Sequence, residues 1–303
     1  MEGGDNWNAV EAQTVEVTIG YYSLSLADND NNAEAISNVT INYGGKADVT
    51  LTDRWLFKDG SWNTLCLPFA VSAAQMAESS HPLHGATVKE LDATGKYTAE
   101  GVLDNENGTL QTGFKADDGT LYLYFKEATA IEAGRPYIVK WDKPEGYDGH
   151  EGDYDISSPV FSGITIDNSA EANARMTVTA QNSGLNSVEF IGTYSPVAIA
   201  KDDKSRLFLS ADNTLYYPDE DSYQTGTFRA YFHVDLTGSA GVRACVMNFG
   251  DGEATGIREI DNLTIDDLRF AAAGWYDLHG RKLSGRPSVP GIYVNNGRVV
   301  VIK

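Results

Sequence analysis

Positive charge is scarce in this chain. Its 303 residues hold 23 Lys and Arg against 43 Asp and Glu, a formal net charge of −20. That balance argues against nucleic-acid binding, because contact with phosphates needs a cationic face. It argues equally against docking on anionic lipid through a polybasic patch. No apolar run approaches the roughly 20 residues that a helix needs to cross a bilayer, so no membrane span is expected. Cysteine is nearly absent. Cys66 and Cys245 are the whole thiol inventory, which excludes a disulfide scaffold. They have no Cys-x-x-Cys spacing to suggest a metal site. Both sit in apolar strand-like runs, where a free Cys behaves as a small hydrophobe. Two buried free thiols are the favoured expectation, with one long-range disulfide as the alternative. The N-terminal run Met1-Glu2-Gly3-Gly4-Asp5-Asn6-Trp7 shows neither the basic nor the apolar region of a signal peptide. Either the protein is cytoplasmic or, the favoured expectation, the chain is a mature or trimmed piece with an added Met.

What is present is ample material for a core: 42% apolar residues, with 5 Trp, 16 Tyr and 11 Phe. A wholly disordered chain is therefore not expected. The dominant signal is short alternating runs broken by turn residues. Val15–Tyr21 alternates, as does Leu121-Tyr122-Leu123-Tyr124-Phe125. Phe228, Ala230, Phe232 and Val234 alternate with Arg229, Tyr231 and His233. A period of two sends one set to a core and the other outward. Further strands are expected at Trp62–Phe69, Pro136–Trp141, Val160–Ile166, Val188–Tyr194, Leu207–Ser210 and Val242–Phe249. Gly44-Gly45, Asp59-Gly60, Asn107-Gly108, Asp118-Gly119 and Asn296-Gly297 supply turns between them. This density of strands and turns predicts an all-β, antiparallel β-sandwich architecture. Helical signal is weak. Ser72–Ser79 offers two turns with Ser72 as the cap, and Asn262–Phe270 is a second candidate.

Four regions are expected: an N-terminal β region at 1–57, a main sandwich at 58–250, a linker at 251–274 and a C-terminal hairpin module at 275–303. The last region differs in charge. Arg281, Lys282, Arg286, Arg298 and Lys303 face a single acid, Asp277, a balance of +4 that leaves −24 on the remainder. Such asymmetry marks a module with its own role. Asn296-Gly297 suits a tight type I′ hairpin turn, and Val299 to Ile302 are apolar on both faces.

Those residues carry a resemblance. Trp275-Tyr276-Asp277-Leu278-His279-Gly280-Arg281-Lys282-Leu283, then Pro290-Gly291-Ile292-Tyr293-Val294, then Asn296-Gly297-Arg298-Val299-Val300-Val301-Ile302-Lys303, resemble the short C-terminal tail of secreted and surface proteins of Bacteroidales-type bacteria. The tail is similar to the type IX secretion sorting domain. In the body, Lys58–Phe69, Ile131–Lys140, Asp212–Pro218 and Phe228–Phe232 resemble segments of large, repetitive surface proteins of the same bacteria. In those proteins this unit is the last globular domain before the tail. The resemblance implies a secreted or surface-attached, non-catalytic β-domain protein, with residues 1–57 as the end of an upstream repeat. It supplies no active site.

The motifs of common chemistries are few. His81-Pro82-Leu83-His84 lacks the helix and the Glu of a zinc protease. No nucleophile elbow or phosphate loop is present. The 43 acids offer many carboxylate pairs, but sequence gives no distances between them. Asp28, Asp30, Asn32 and Glu34 place oxygens at alternate positions, as calcium loops do, although Ala33 and Val39 stand where an EF-hand needs Gly and Glu. Calcium is thus the one cofactor candidate, against a solvated acidic turn. Asp202-Asp203 and Asp219-Glu220-Asp221 are weaker versions of the same pattern. Arg229, Tyr231, His233 and Asp235 line one strand face and form a candidate row for a sugar or other polar ligand. The alternative is an ordinary sheet face of cross-strand polar pairs. Trp7, Trp55, Trp62, Trp141 and Trp275 are possible sugar-stacking platforms, with burial as the commoner fate. The leading expectation is an extracellular protein of adhesion, display or surface assembly, whose partner is a host or bacterial surface glycan or protein. A carbohydrate-binding module is the alternative, and a glycan-active enzyme the second.

Overall fold

The computed structural model describes residues 20–147, 154–167, 184–210, 213–218 and 224–250. It also describes the backbone of the strands Arg175–Val178, Arg258–Glu259, Trp275–Tyr276, Lys282–Leu283, Gly291–Asn295 and Arg298–Ile302. Strands dominate, as the alternating runs predict, and they stack in layers. The largest sheet runs in the order Arg258–Glu259, Ala244–Asn248, Thr120–Glu127, Thr87–Leu91, Pro136–Lys140, Asn63–Cys66, with Gly113–Lys115 also paired to Thr120–Glu127. A five-stranded antiparallel sheet follows the order Arg175–Val178, Val188–Gly192, Ala230–Val234, Arg206–Leu209, Leu215–Tyr216.

The largest sheet is covered on both faces. Ile138, Leu91, Leu123 and Phe125 pack toward the five-stranded sheet, against Val188, Phe190, Phe232 and Val234. Val139, Val88, Leu65 and Tyr137 join a second core on the other side. Adjacent residues of one strand therefore serve different cores. This explains the unbroken apolar run Pro136-Tyr137-Ile138-Val139, which a half-exposed strand would not show. In the first core the rings of Phe190 and Phe232, a direct cross-strand pair, stack with centroids 4.6 Å apart. Phe125 meets both edge-on, at 6.3 and 6.4 Å, the arrangement that ring quadrupoles favour.

The second core reaches back into the N-terminal region. Tyr22–Ala27 pairs in parallel with Lys46–Thr52, which pairs antiparallel with Val160–Thr165. The helix Ala33–Tyr43 connects the two parallel strands and buries Ile36 and Val39 against them. The expectation for 1–57 is β, and Ile36, Thr40, Ile41 and several Asn in this stretch are poor helix formers. Tertiary packing of the Ile36/Val39 stripe overrides that propensity. Gly44 ends the helix in the left-handed conformation, φ +62°, where glycine carries no Cβ penalty. Leu24, Val49 and Leu51 share one cluster with Leu65, Phe69 and Phe228, so residues on both sides of the expected boundary at 57 belong to one core.

Other differences are local. Ser72 caps a short helix, Ala73–Met76, in a capping box with Gln75. Within the stretch read as a linker, Arg258–Glu259 adds a short edge strand to Ala244–Asn248. Ala244–Asn248 and Thr120–Glu127 pair in parallel, an exception in a mainly antiparallel fold. Phe228 does not continue the alternation of Ala230, Phe232 and Val234. Its backbone turns to φ +55° and its ring enters the other core. The expected helix at Asn262–Phe270 and the start of the run at Val15–Tyr21 lie outside the described residues.

Candidate functional site

The polar row of one strand does not act as a row. Arg229 is turned inward and donates from Nη1 and Nη2 to the two carboxylate oxygens of Asp28, with Nη2 2.8 Å from Oδ2. Tyr231 is buried in a small cluster with Ile191, Ile199, Phe208 and Tyr216 on the outer face of the five-stranded sheet. His233 Nδ1 lies 2.7 Å from Oε2 of Glu189, its direct cross-strand partner. Asp235 accepts from the amide and hydroxyl of Thr237, at 3.0 and 2.6 Å, and these bonds hold its carboxyl below the usual range. All four side chains are engaged within the protein. Strand alternation placed them on one side, but each meets a different neighbour.

The acidic loop before the helix divides in the same way. Asp28 and Asn32 are buried, whereas Asp30 and Glu34 are exposed. The Asn32 side chain accepts from the amide of Ala27 and donates to the carbonyls of Ala27, Asp30 and Tyr194. Thr227 donates its hydroxyl to the carbonyl of Asp28 at 2.8 Å. The loop is thereby latched to residues almost 200 positions away. Arg54 is also buried here and donates to the carbonyls of Trp55 and Thr64. Burial, then the nearby Arg229 cation, lower its pKa to about 9, while Asp28 works in the opposite direction. Gly226 is fixed by this cluster. A Cβ there would overlap the Arg229 guanidinium and come within 2.8 Å of Asp28 Oδ1. Among the described residues no group of three His, Cys, Asp or Glu side chains converges as a metal site would.

Two concavities are better placed to meet a ligand. The first is a cleft of about 350 Å³ at one end of the first core, lined by Lys89, Tyr97, Glu100, Val102, Glu127 and Asn248 among others. Lys89 is 2% exposed. Its ammonium pairs with Glu127 Oε1 at 2.9 Å, donates to the Phe249 carbonyl and lies 5.9 Å from the Trp62 ring centre. On the rim, Val102 and Leu103 are 62% and 54% exposed. Tyr97 stacks on Tyr124 at 4.0 Å and donates to Asp92 Oδ2 at 2.7 Å. Burial alone would raise the Asp92 pKa, but the Tyr97 hydroxyl, the amides of Thr94 and Gly95 and the Lys126 charge outweigh it and hold it low. A concave site with a few convergent polar groups and apolar walls is where small ligands bind. No sequence signal singled out Lys89, because one lysine in a strand is ordinary until its burial is known.

The second is a groove of about 420 Å³ between the 79–84 turn and residues 156–160. His81 Nδ1 accepts from the Leu83 amide at 3.1 Å, and its ring stands edge-on to Phe161. Burial lowers its pKa. Both cysteines are buried and free, in different cores. Trp62 and Trp141 are buried, and Trp141 donates to the His84 carbonyl. Trp55 is half-buried. Trp7, the Trp275 side chain and Asp219-Glu220-Asp221 lie outside the described residues, while Asp203 pairs with Arg206 at 3.2 Å. No protein-family model matches this chain, and no curated protein or solved structure is detectably similar to it.

Proposed function

We propose that this chain is a secreted or cell-surface, non-catalytic β-domain protein that works by presenting a surface, in adhesion, display or surface assembly. One observation carries the reading. The polar side chains that the sequence offers for chemistry are engaged within the protein: Arg229 on the distant Asp28, His233 on Glu189 of the neighbouring strand, Asp235 on Thr237 in its own turn. Meanwhile large apolar side chains, among them Tyr21, Ile41, Tyr43 and Val102, face solvent. The tail's resemblance to surface-protein tails supports the address. The test is proteolytic shaving or impermeant-biotin labelling of intact cells of the source bacterium. Labelling of the protein with cytoplasmic controls untouched is the expected result, and protection until lysis would contradict it.

A second reading, a carbohydrate-binding module, draws on the Lys89 cleft with its apolar rim. A glycan array on the intact protein separates the two. Strong, selective binding that Val102→Asp or Glu127→Ala abolishes favours the module, and absence of binding favours adhesion or display through a protein partner.

A further inference from the structure

The turn that follows the short helix Ala73–Met76 is closed by four amides. Those of His81, His84 and Ala86 donate to the carbonyls of Glu78, His81 and Leu83, at 2.9, 2.9 and 3.1 Å. The fourth, of Leu83, donates to a side chain, Nδ1 of His81, at 3.1 Å. The turn packs inward through Leu83, which is 1% exposed in the second core. Its His84 carbonyl accepts from Trp141 Nε1 at 3.0 Å. Only a neutral imidazole can accept at Nδ1, so the Leu83 bond fixes the tautomer with its proton on Nε2. Nε2 is itself buried and has no hydrogen-bond partner among the described residues. An imidazolium in this place would carry two N–H groups and find an acceptor for neither.

The charges around the ring do not favour that cation either. His84 lies in the same turn, and Lys58 lines the same groove. Residues 156–165, which supply the groove's other wall and the Phe161 ring, carry no titratable side chain. The exposed Glu78, at the start of the turn, favours the charge, but burial outweighs it. We propose that this turn is an acid-sensitive latch: a proton taken from solvent by His81 Nδ1 breaks the bond from the Leu83 amide and releases residues 79–86 from the second core. The direction follows from burial, which holds the folded pKa below the value of about 6.5 that the ring regains in the open turn. The latch is therefore at full strength above about pH 6.5 and weakens as pH falls from there toward the folded value. Opening bares Leu83 and frees the His84 carbonyl from Trp141, so an apolar surface appears only in acid. The device does not depend on the address or the role proposed above.

The test uses the full-length protein. Residue-resolved hydrogen exchange is measured at about pH 7.5 and about pH 5, on either side of the ordinary histidine range, and the His81 ring is titrated by NMR. Rates are corrected for the intrinsic effect of pH. The Leu83 and His84 amides should exchange about tenfold faster at the lower pH, the effect of a pKa difference of about one between closed and open turn. The amides of Phe190 and Phe232, in the first core, should not change. The ring should titrate below about 6.5. His81→Asn keeps an oxygen acceptor two residues before Leu83 and carries no titrating charge, so its turn should stay closed at both pH values. His84→Asn should keep the acid response. Equal acceleration in His81→Asn and wild type would overturn the proposal. So would a wild-type turn equally protected at both pH values, or a His81 ring that titrates at or above about 6.5. The wild-type exchange and titration decide the matter even if His81→Asn fails to fold.

Discussion

Arg229 and Asp28 stand 201 residues apart in sequence, yet the guanidinium of one grips both carboxylate oxygens of the other in a site nearly closed to water. Each belongs to a different candidate site in the sequence, Asp28 to a calcium loop and Arg229 to a ligand row. The pair ties the loop ahead of the helix Ala33–Tyr43 to the strand Ala230–Val234. A buried ion pair adds little net stability over an apolar replacement, but removing one partner leaves a charge stranded, which costs about 3–5 kcal/mol.

Calcium is expected to leave the protein unchanged. A cation at Asp28, Asp30, Asn32 and Glu34 would have to take Asp28 from Arg229 and break the backbone bonds of Asn32. Melting temperatures measured with millimolar calcium and with a chelator should agree. A rise with calcium would restore the metal reading of this loop.

Tyr97→Phe should destabilise the fold by about 1.5–3 kcal/mol at pH 7, the range for a hydrogen bond to a charged group. The depressed folded pKa of Asp92 means that its contribution is fully present above the unfolded value of about 3.9 and is lost as pH falls through the folded value. Removing the hydroxyl raises the folded pKa. The stability gap between wild type and variant should therefore be full at neutral pH and narrow below about pH 4. Urea unfolding at several pH values checks this, and a gap independent of pH would show that the Tyr97–Asp92 bond is not the cause.

Much of the fold was legible in the sequence, for a physical reason. Alternation at Leu121–Phe125 and Ala230–Val234 reports a face directly, and capping chemistry at Ser72 is local. The helix Ala33–Tyr43 was not legible, because long-range packing of Ile36 and Val39 decides it. The candidate sites fared worse. Alternation says which side a residue leaves the strand, not what awaits it there, so Tyr231 proved to be buried and Arg229 paired. Lys89 gave no sign of its buried position.

Asp53→Gly should stabilise the protein by about 0.5–1 kcal/mol. Asp53 and Ser158 both adopt positive φ, +64° and +47°, where two strands bend together. The left-handed region costs a non-glycine residue about 1–2 kcal/mol, partly offset by the flexibility that Gly adds to the unfolded chain. Asp53→Val should act in the opposite direction. Chemical denaturation of the two variants tests both signs.

Native thiol reactivity should be negligible. Burial pushes the Cys66 thiol up to about 12 and raises Cys245 as well. The thiolate is the reactive form. A thiol reagent should therefore modify neither residue in the folded protein and two per chain in denaturant. A reductant should not shift the melting temperature. Fast modification at neutral pH would contradict the burial of these groups.

The most direct test of the claim that the polar row serves the fold and not a ligand is a double-mutant cycle on Asp28→Asn and Arg229→Gln, read by equilibrium unfolding. Each single variant should lose about 3–5 kcal/mol, and the double variant should lose clearly less than their sum, with a coupling of more than about 1 kcal/mol. Additive losses close to zero would contradict the account and return Asp28 and Arg229 to the list of residues available for binding.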